Sequence, residues 1–353
     1  MRIMHLLNHC NKANGHVNVS VDLACCQVRM GHTVGYGCAG GDFESLLVEA
    51  GIQLYRIEQP HRNMTGFLRA NRQLWLALCD FRPDVVHAHM AAQSVLMQPY
   101  RPLGYPLVTT LHNEFDRSAW LMSLADRVVT VGKTGYNAMR RRGTPSEKLH
   151  LVENGPVGSP RLKPNFRSAS MLHPAILTVC GMHPRKGVVD LLNAFSILMQ
   201  THPEATLYLA GEGPMLRQYK MLATSLGIRQ STFFLGFCED PREYLAGADL
   251  FVLASHADPG PLVIAEARAA GLPIVATAVD GIPAMLDYGE AGILVPPHRP
   301  DVIAEHLRTL LNDASLRQSY AARSQRGAER FYVERLCRDM ERVYAELLPR
   351  TKS

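Results

Sequence analysis

The stretch VLASHADPGPLVIAEARAAGLPIVAT, Val252–Thr277, decides the fold. The apolar run Asp249–Ser255 (DLFVLAS) predicts a buried parallel strand. The turn His256–Pro261 carries an acid, a glycine and two prolines. From Pro261 the pattern LVIAEARAAG changes to a helical period and stops at Gly271, a natural C-terminal glycine. PIVATA then opens another strand. Strand, tight turn, helix and strand make a βαβ unit, and ligands bind at the carboxyl ends of such strands. The helix start also offers N–H groups to an anion. Pro261 suits a first helical position. Pro259 and Pro261 have no N–H to give, whereas Gly260, Leu262 and Val263 keep theirs.

The rest of the chain is long enough for a second such unit. At 353 residues two domains are expected. Hydrophobic residues make up 47% and charged residues 20%, which suits a globular chain. The eight cysteines have no C-x-x-C spacing, which argues against a zinc site or disulfide frame and for a reducing compartment. No run approaches a membrane span. Met1–Cys10 is too short and polar for a signal peptide and reads as a first strand. Charge is uneven. Met1–Ser168 holds 19 Lys and Arg against 12 Asp and Glu, and the remainder 18 against 20. The basic half suits an acidic acceptor or weak contact with an anionic membrane surface. Taken alone, Arg140, Arg141 and Arg142 read as a solvated helix face rather than as a binding patch. No basic-aromatic motif accompanies the charge, so nucleic acid is not expected.

Upstream, Ile3–Leu7 reads as a strand and Gly15 opens a helix whose apolar residues keep near-helical spacing. His32–Cys38, a strand from Gly51, Asp84–Ala88, Leu107–His112, Arg127–Val131 and Leu149–Glu153 continue the alternation, with a helix over Met64–Cys79. His87 and His89 form an H-x-H pair without a third ligand at a recognisable spacing, so no metal site is expected there. His112 closes its strand, where a side chain can reach a ligand. SPRLKPNFRSAS has no period and reads as a linker, with the boundary near Ser168. Beyond it, Ala175–Gly181, Leu207–Gly213 and Phe233–Phe237 are strands. Lys186 sits in a loop just before a helix from Gly187 to about Gln200, well placed for a phosphate. Asp301–Asp313, Ser315–Glu329 and Val333–Leu347 read as helices.

Asp258 and Glu266 stand eight residues apart around the central helix start. Alone, the first reads as a cap and the second as a solvated helix residue. Taken with Glu-Ala, the small-residue helix and GLPIVAT, the pair resembles the E-x7-E motif of family 4 glycosyltransferases. PDVVHAH, His112, Asn154-Gly155, Lys186-Gly187 and the G-x-G-P of Gly211–Pro214 resemble that family in the same order. The resemblance implies an α/β fold of two Rossmann-like domains facing a cleft (GT-B). It places an acceptor-side domain over residues 1–168 and a nucleotide-sugar domain over 169–330. A last helix from 331 to 353 returns to the first domain. It implies retaining transfer of a sugar from a UDP- or GDP-sugar to a glycan, lipid-linked or small-molecule acceptor, in bacterial cell-surface polysaccharide or glycolipid synthesis. No metal or other cofactor is implied, and the place of action would be the cytoplasm, peripheral at the inner membrane face.

The resemblance also implies residue roles. His112 meets the donor sugar and phosphate. Asn14 and Gly15 stand in for a Gly-Gly pair near the diphosphate. Lys186, with Arg185 beside it, meets the diphosphate, and Gly213 and Phe237 line the nucleotide. Asp258 meets the sugar, Glu266 the ribose, and the N–H groups of Gly260, Leu262 and Val263 face the phosphate. His112, Lys186 and Asp258 form the expected catalytic set. Three departures stand out: Gly181 occupies the place of a second phosphate-binding Arg, Asp258 replaces Glu, and D-P-G-P-L replaces E-G-F-G-L. They leave two other readings open, a silent carbohydrate- or nucleotide-binding subunit and a nucleotide-sugar epimerase of similar shape.

Overall fold

The computed structural model describes residues 1–12, 14–58, 64–112 and 117–348. The chain divides into two compact units, Met1–Arg161 with the segment from Phe331 onward, and Leu162–Arg330. Residues 162–168 group with the second unit rather than ending the first. Arg242 Nη2 donates to Lys163 O at 2.6 Å, its guanidinium lies 4.7 Å from the Phe166 ring centroid, and Ala169 N donates to Glu243 O at 2.8 Å.

The first unit is built on a parallel sheet. Its strands are β1 (Arg2–Leu6), β2 (Thr33–Cys38), β3 (Gln53–Arg56), β4 (Val85–Ala88), β5 (Leu107–Leu111), β6 (Arg127–Thr130) and β7 (Leu149–Leu151). Their order is β3-β2-β1-β4-β5-β6-β7, so the order reverses between β1 and β4. Side chains alternate across a strand. Met4 and Leu6 of β1 therefore share a core with Leu74, Leu78 and Phe81 of the helix Met64–Phe81. His5 points the other way, against Tyr36 and beneath the helix Gly15–Arg29, whose Gln27 Oε1 accepts from His5 Nε2. The helix Val333–Ala345 packs on Gly15–Arg29.

Outgoing and returning chain are paired inside this unit. Val157 N donates to Phe331 O at 3.0 Å, and Val333 N donates to Val157 O at 2.9 Å. A Cβ on Gly155 would lie 2.7 Å from Tyr332 O, so this close crossing requires glycine. Buried Asp22 accepts from Ser159 Oγ (2.6 Å) and from both sides of the Arg161 guanidinium (2.8 and 3.0 Å), anchoring the outgoing segment. Arg140, Arg141 and Arg142 are exposed at the end of the helix Lys133–Arg141.

The second unit has its own parallel sheet: β8 (Ala175–Val179), β9 (Thr206–Ala210), β10 (Thr232–Gly236), β11 (Leu250–Leu253), β12 (Ile274–Thr277) and β13 (Ile293–Val295). The order β10-β9-β8-β11-β12-β13 reverses between β8 and β11. Ile176, Leu207, Leu250 and Val252 belong to one core with Leu191, Leu192 and Phe195 of the helix Val188–Leu198. Ile293–Val295 forms β13 by pairing with β12 at Val275, Ala276 and Thr277. Two sequence expectations shift. Pro261 is the residue before the helix Leu262–Ala269 rather than its first member, because its ψ of 112° is extended. The helix expected over Ser315–Glu329 is Ala314–Gln325; Arg326 turns extended and Gly327 follows at φ +74°.

Candidate active site

In the second unit, the loops after β8 and β11 leave the sheet where its strand order reverses, the place where open α/β sheets bind ligands. Their close approach depends on glycine. A Cβ on Gly187 would lie 1.8 Å from Ala254 O, and Gly187 itself has φ +63°. Arg185 O then accepts from His256 N (2.7 Å) and Ala257 N (3.3 Å), while Arg185 Nη1 donates to Ala257 O at 3.1 Å. Arg185 thus straps one loop to the other, and its side chain is exposed.

This strap brings Lys186 Nζ into an ion pair with Asp258 Oδ2, both side chains being largely buried. Lys186, expected to meet a phosphate, and Asp258, expected to meet a sugar, therefore neutralise each other. Ser255 Oγ donates to the same carboxylate oxygen at 3.3 Å. The turn is held from below by the loop after β12. Asp280 Oδ2 accepts from Asp258 N at 2.7 Å, and a Cβ on Gly281 would lie 1.9 Å from Pro259 O. Asp280 adopts φ +46°, a conformation that aspartate tolerates better than most residues. Asp280 was not singled out as a site residue; its signal was the Asp-Gly pair just after a strand.

Among the described residues, no acceptor in the chain meets the backbone N–H of Gly260, Leu262 or Val263. Glu266 follows on the same helix, half-buried. Its charge is felt at Cys238, whose thiol is pushed up to about 12 by burial first and then by Asp240, Glu266 and Glu243. Glu266 therefore lies near the loop after β10, the one that carries Phe237. That loop is joined to the β9 loop through Phe237 N and Glu212 Oε1 at 3.3 Å, and Phe237 is exposed. A Cβ on Gly213 would lie 2.6 Å from Met182 O, which explains glycine where the β9 loop crosses the β8 loop. The helix bearing Glu266 is fastened by Arg268, which is fully buried. Arg268 donates to Ser324 O (2.9 Å), Met285 O (2.6 Å) and Arg326 O (2.6 Å) and pairs with Asp287 Oδ2 (2.8 Å). Sequence reading passes over it, because an arginine inside a helix ordinarily faces water.

The first unit has a separate polar assembly at the carboxyl ends of β1, β4 and β5. Asn14 precedes the helix Gly15–Arg29 without capping it by its side chain; its Nδ2 donates to Lys12 O at 3.2 Å, and Gly15 is exposed. His112, at the end of β5, is half-buried and belongs to a chain of histidines whose other members are buried. His112 Nε2 meets His89 Nδ1 at 3.1 Å, His89 Nε2 meets His5 Nδ1 at 2.9 Å, and His5 Nε2 meets Gln27 Oε1 at 2.7 Å. Gln27 Nε2 donates to Tyr344 Oη, which meets His87 Nδ1 at 2.7 Å; His87 Nε2 meets Thr110 Oγ1 at 2.7 Å. Burial lowers every one of these imidazoles: His5 to about 4, His112 to about 3, and His87 and His89 well below the ordinary value. All are neutral near pH 7.

Neutral imidazole carries one N–H, so the protons follow in order. Gln27 Oε1 only accepts, so His5 donates from Nε2 and accepts at Nδ1. His89 then donates from Nε2 and accepts at Nδ1 from His112 Nε2. Among the described residues, His112 is left with a bare lone pair at Nδ1. His5, His87 and His89 bring their nitrogens within 4.8 Å of one another, so His5 is a neighbour that sequence spacing did not reveal. Each ring nitrogen of the three already has a hydrogen-bond partner, and the chemistry of this cluster is proton ordering. Nitrogen-detected NMR is expected to find His112 as the Nε2–H tautomer, staying neutral from pH 7 to about pH 5 where an ordinary histidine protonates near 6.5. Protonation near 6.5 would contradict the ordering. Because the folded values lie below the unfolded one, this network favours the fold above about pH 6.5 and loses that contribution as pH falls toward 3.

Two family descriptions divide the chain as its units do. "Glycosyltransferase Family 4" matches residues 13–156 and "Glycosyl transferases group 1" matches residues 169–327. The chain belongs to glycosyltransferase family 4. The putative glycosyltransferase EpsD of Bacillus subtilis is 26% identical over 79% of this chain and 80% of its own. An exopolysaccharide phosphotransferase of Streptomyces coelicolor is 34% identical, over 47% of this chain and 18% of that relative's length. HepE of Anabaena, solved in complex with UDP-glucose, superposes with a TM-score of 0.81 at 20% identity, covering 98% of this chain and 100% of that one. The glycosyltransferase thus has the GT-B fold, with two Rossmann-like α/β units. Among its described residues no helix is long and apolar enough to cross a membrane.

Proposed function

We propose that this family 4 glycosyltransferase moves a sugar, with retention and without a metal, from a nucleotide-sugar to a glycan or lipid-linked acceptor. A UDP-sugar is favoured over a GDP-sugar because the Anabaena neighbour is a UDP-glucose complex. Polysaccharide synthesis is supported by the name of the Streptomyces relative. The observation that carries the reading is the Lys186–Asp258 ion pair at the β8/β11 reversal, beside the N–H groups of Gly260, Leu262 and Val263.

The donor exchanges partners in this pair. Its diphosphate takes Lys186 and the helix-start N–H groups, which frees the Asp258 carboxylate to accept from a sugar hydroxyl. Glu266 accepts from the ribose hydroxyls, while Gly213 and Phe237 border the nucleotide. In the first unit the bare His112 Nδ1 accepts from a sugar hydroxyl. It cannot donate to a phosphate, which narrows the role the family resemblance gave it. The bond between the anomeric carbon and the β-phosphate oxygen breaks, the acceptor oxygen bonds to that carbon on the same face, and its proton passes to the departing phosphate. This chain supplies position and charge for that step.

Calorimetric titration with UDP- and GDP-sugars tests the donor assignment. Glu266→Ala is expected to weaken nucleotide binding by about 1.5–3 kcal/mol, the worth of a charged hydrogen bond. Unchanged affinity in a folded variant would remove Glu266 from the site.

A further inference from the structure

A second histidine-bearing cluster lies in the Leu162–Arg330 unit, outside the groups used above. Asp190 is in the first turn of the helix Val188–Leu198. His256 Nε2 lies 2.7 Å from Asp190 Oδ2, and His298 Nδ1 lies 3.6 Å from the same oxygen. The two imidazoles pack with centroids 3.9 Å apart. One ligand atom from each residue falls within 4.8 Å of the others. His298 reaches this place from a backbone at φ +59°, which is uncommon outside glycine.

The cluster differs from His5, His87 and His89, whose ring nitrogens are all taken by hydrogen bonds. Here, among the described residues, Asp190 is the hydrogen-bond or ion-pair partner of both rings, and His298 is 67% exposed, so it is free to adjust. Around a tetrahedral zinc ion, ligand atoms about 2.0–2.1 Å from the metal stand about 3.3 Å apart. Reaching that spacing needs only a small lengthening of the Asp190–His256 contact and a small approach of His298. Two neutral imidazoles and one carboxylate suit a divalent transition metal, with the fourth position left to water.

We propose that Asp190, His256 and His298 bind one divalent transition-metal ion of the zinc class. The ion ties together two segments of the donor side, since Asp190 follows Lys186 by four residues and His256 precedes Asp258 by two. It takes no part in sugar transfer. Titration of the full chain with Zn2+ alone, followed by calorimetry and thermal unfolding, tests the site. One equivalent is expected to bind and to raise the unfolding temperature by mass action. Loss of an outer partner of a metal site costs about 10–100-fold in affinity, so loss of a direct ligand in His298→Ala is expected to cost at least about 100-fold. His298→Cys, which keeps a ligand, is expected to retain binding, and Co2+ is expected to give the visible absorption of a tetrahedral site. Absence of Zn2+ binding would overturn the proposal. So would equal binding by His298→Ala, which would place the metal at other histidines.

Discussion

Replacing Lys186 with alanine is expected to lower turnover about 100- to 1,000-fold, the usual cost of removing one group that stabilises transition-state charge. The leaving diphosphate gains negative charge as the glycosidic bond breaks, so its cation counts for more in the transition state than in the bound donor. Donor affinity is therefore expected to fall less than turnover. The ion pair adds a second effect. Asp258 is largely buried against Lys186, and without that lysine its carboxylate faces the incoming diphosphate unpaired. Lys186→Ala with Asp258→Asn separates the two contributions, since residues in contact are not additive. Gly181→Arg is the complementary change. Gly181 is outside the left-handed region, and a Cβ there would lie 3.1 Å from the His183 side chain and 3.7 Å from Glu212 O. A small shift of His183 accommodates it, and the added cation is expected to raise activity. Steady-state kinetics checks all four proteins. Parent-like turnover in Lys186→Ala would mean that the diphosphate is held some other way.

Arg268→Met is expected to destabilise the second unit by about 3–5 kcal/mol, as removal of one partner from a buried charged network does. The substitution takes the arginine donor from the carbonyls of Ser324 and Arg326 and leaves Met285 O and Asp287 to Arg330. It also releases a turn in which Asp287 and Tyr288 both have positive φ, at 50° and 55°. The partners Ser324, Met285, Arg326 and Asp287 are not among the proposed donor contacts, so nucleotide affinity of the folded fraction is expected to change little. Thermal unfolding followed alongside nucleotide titration distinguishes the two outcomes. A loss under about 1 kcal/mol, the range of an ordinary substitution, would contradict the anchoring role.

These two arginine and lysine sites mark where sequence reading succeeds and where it stops. The placement of Lys186, Asp258 and Glu266 was legible, though not their roles, because strand, turn and helix lie consecutively in the chain and the periods locate each residue relative to a strand end. The parallel strands of both sheets were legible for the same reason, except Ile293–Val295. What was hidden depends on elements distant in sequence. His5, His89 and His112 become neighbours because β1, β4 and β5 are adjacent in the sheet. The proton order then runs to Gln27 on the first helix and Tyr344 near the end of the chain. The burial of Arg268 has no sequence signal because its partners are backbone carbonyls, which carry no side-chain signature. The Lys186–Asp258 pair was also not foreseen; each was read toward a ligand, and the structure sets them against each other.

The reaction proposed for this family 4 glycosyltransferase breaks a nucleotide-sugar and hands the sugar on with its configuration kept. The direct measurement is release of nucleoside diphosphate from UDP- and GDP-sugars across a panel of glycan and lipid-linked acceptors, with the anomeric proton of the product followed by NMR. Acceptor-dependent release from one donor is expected, with a product of unchanged anomeric configuration. An inverted product would contradict the retaining mechanism. Tight donor binding with no release across the acceptors would make the protein a binder, and inversion at C2 of the donor without release would make it an epimerase.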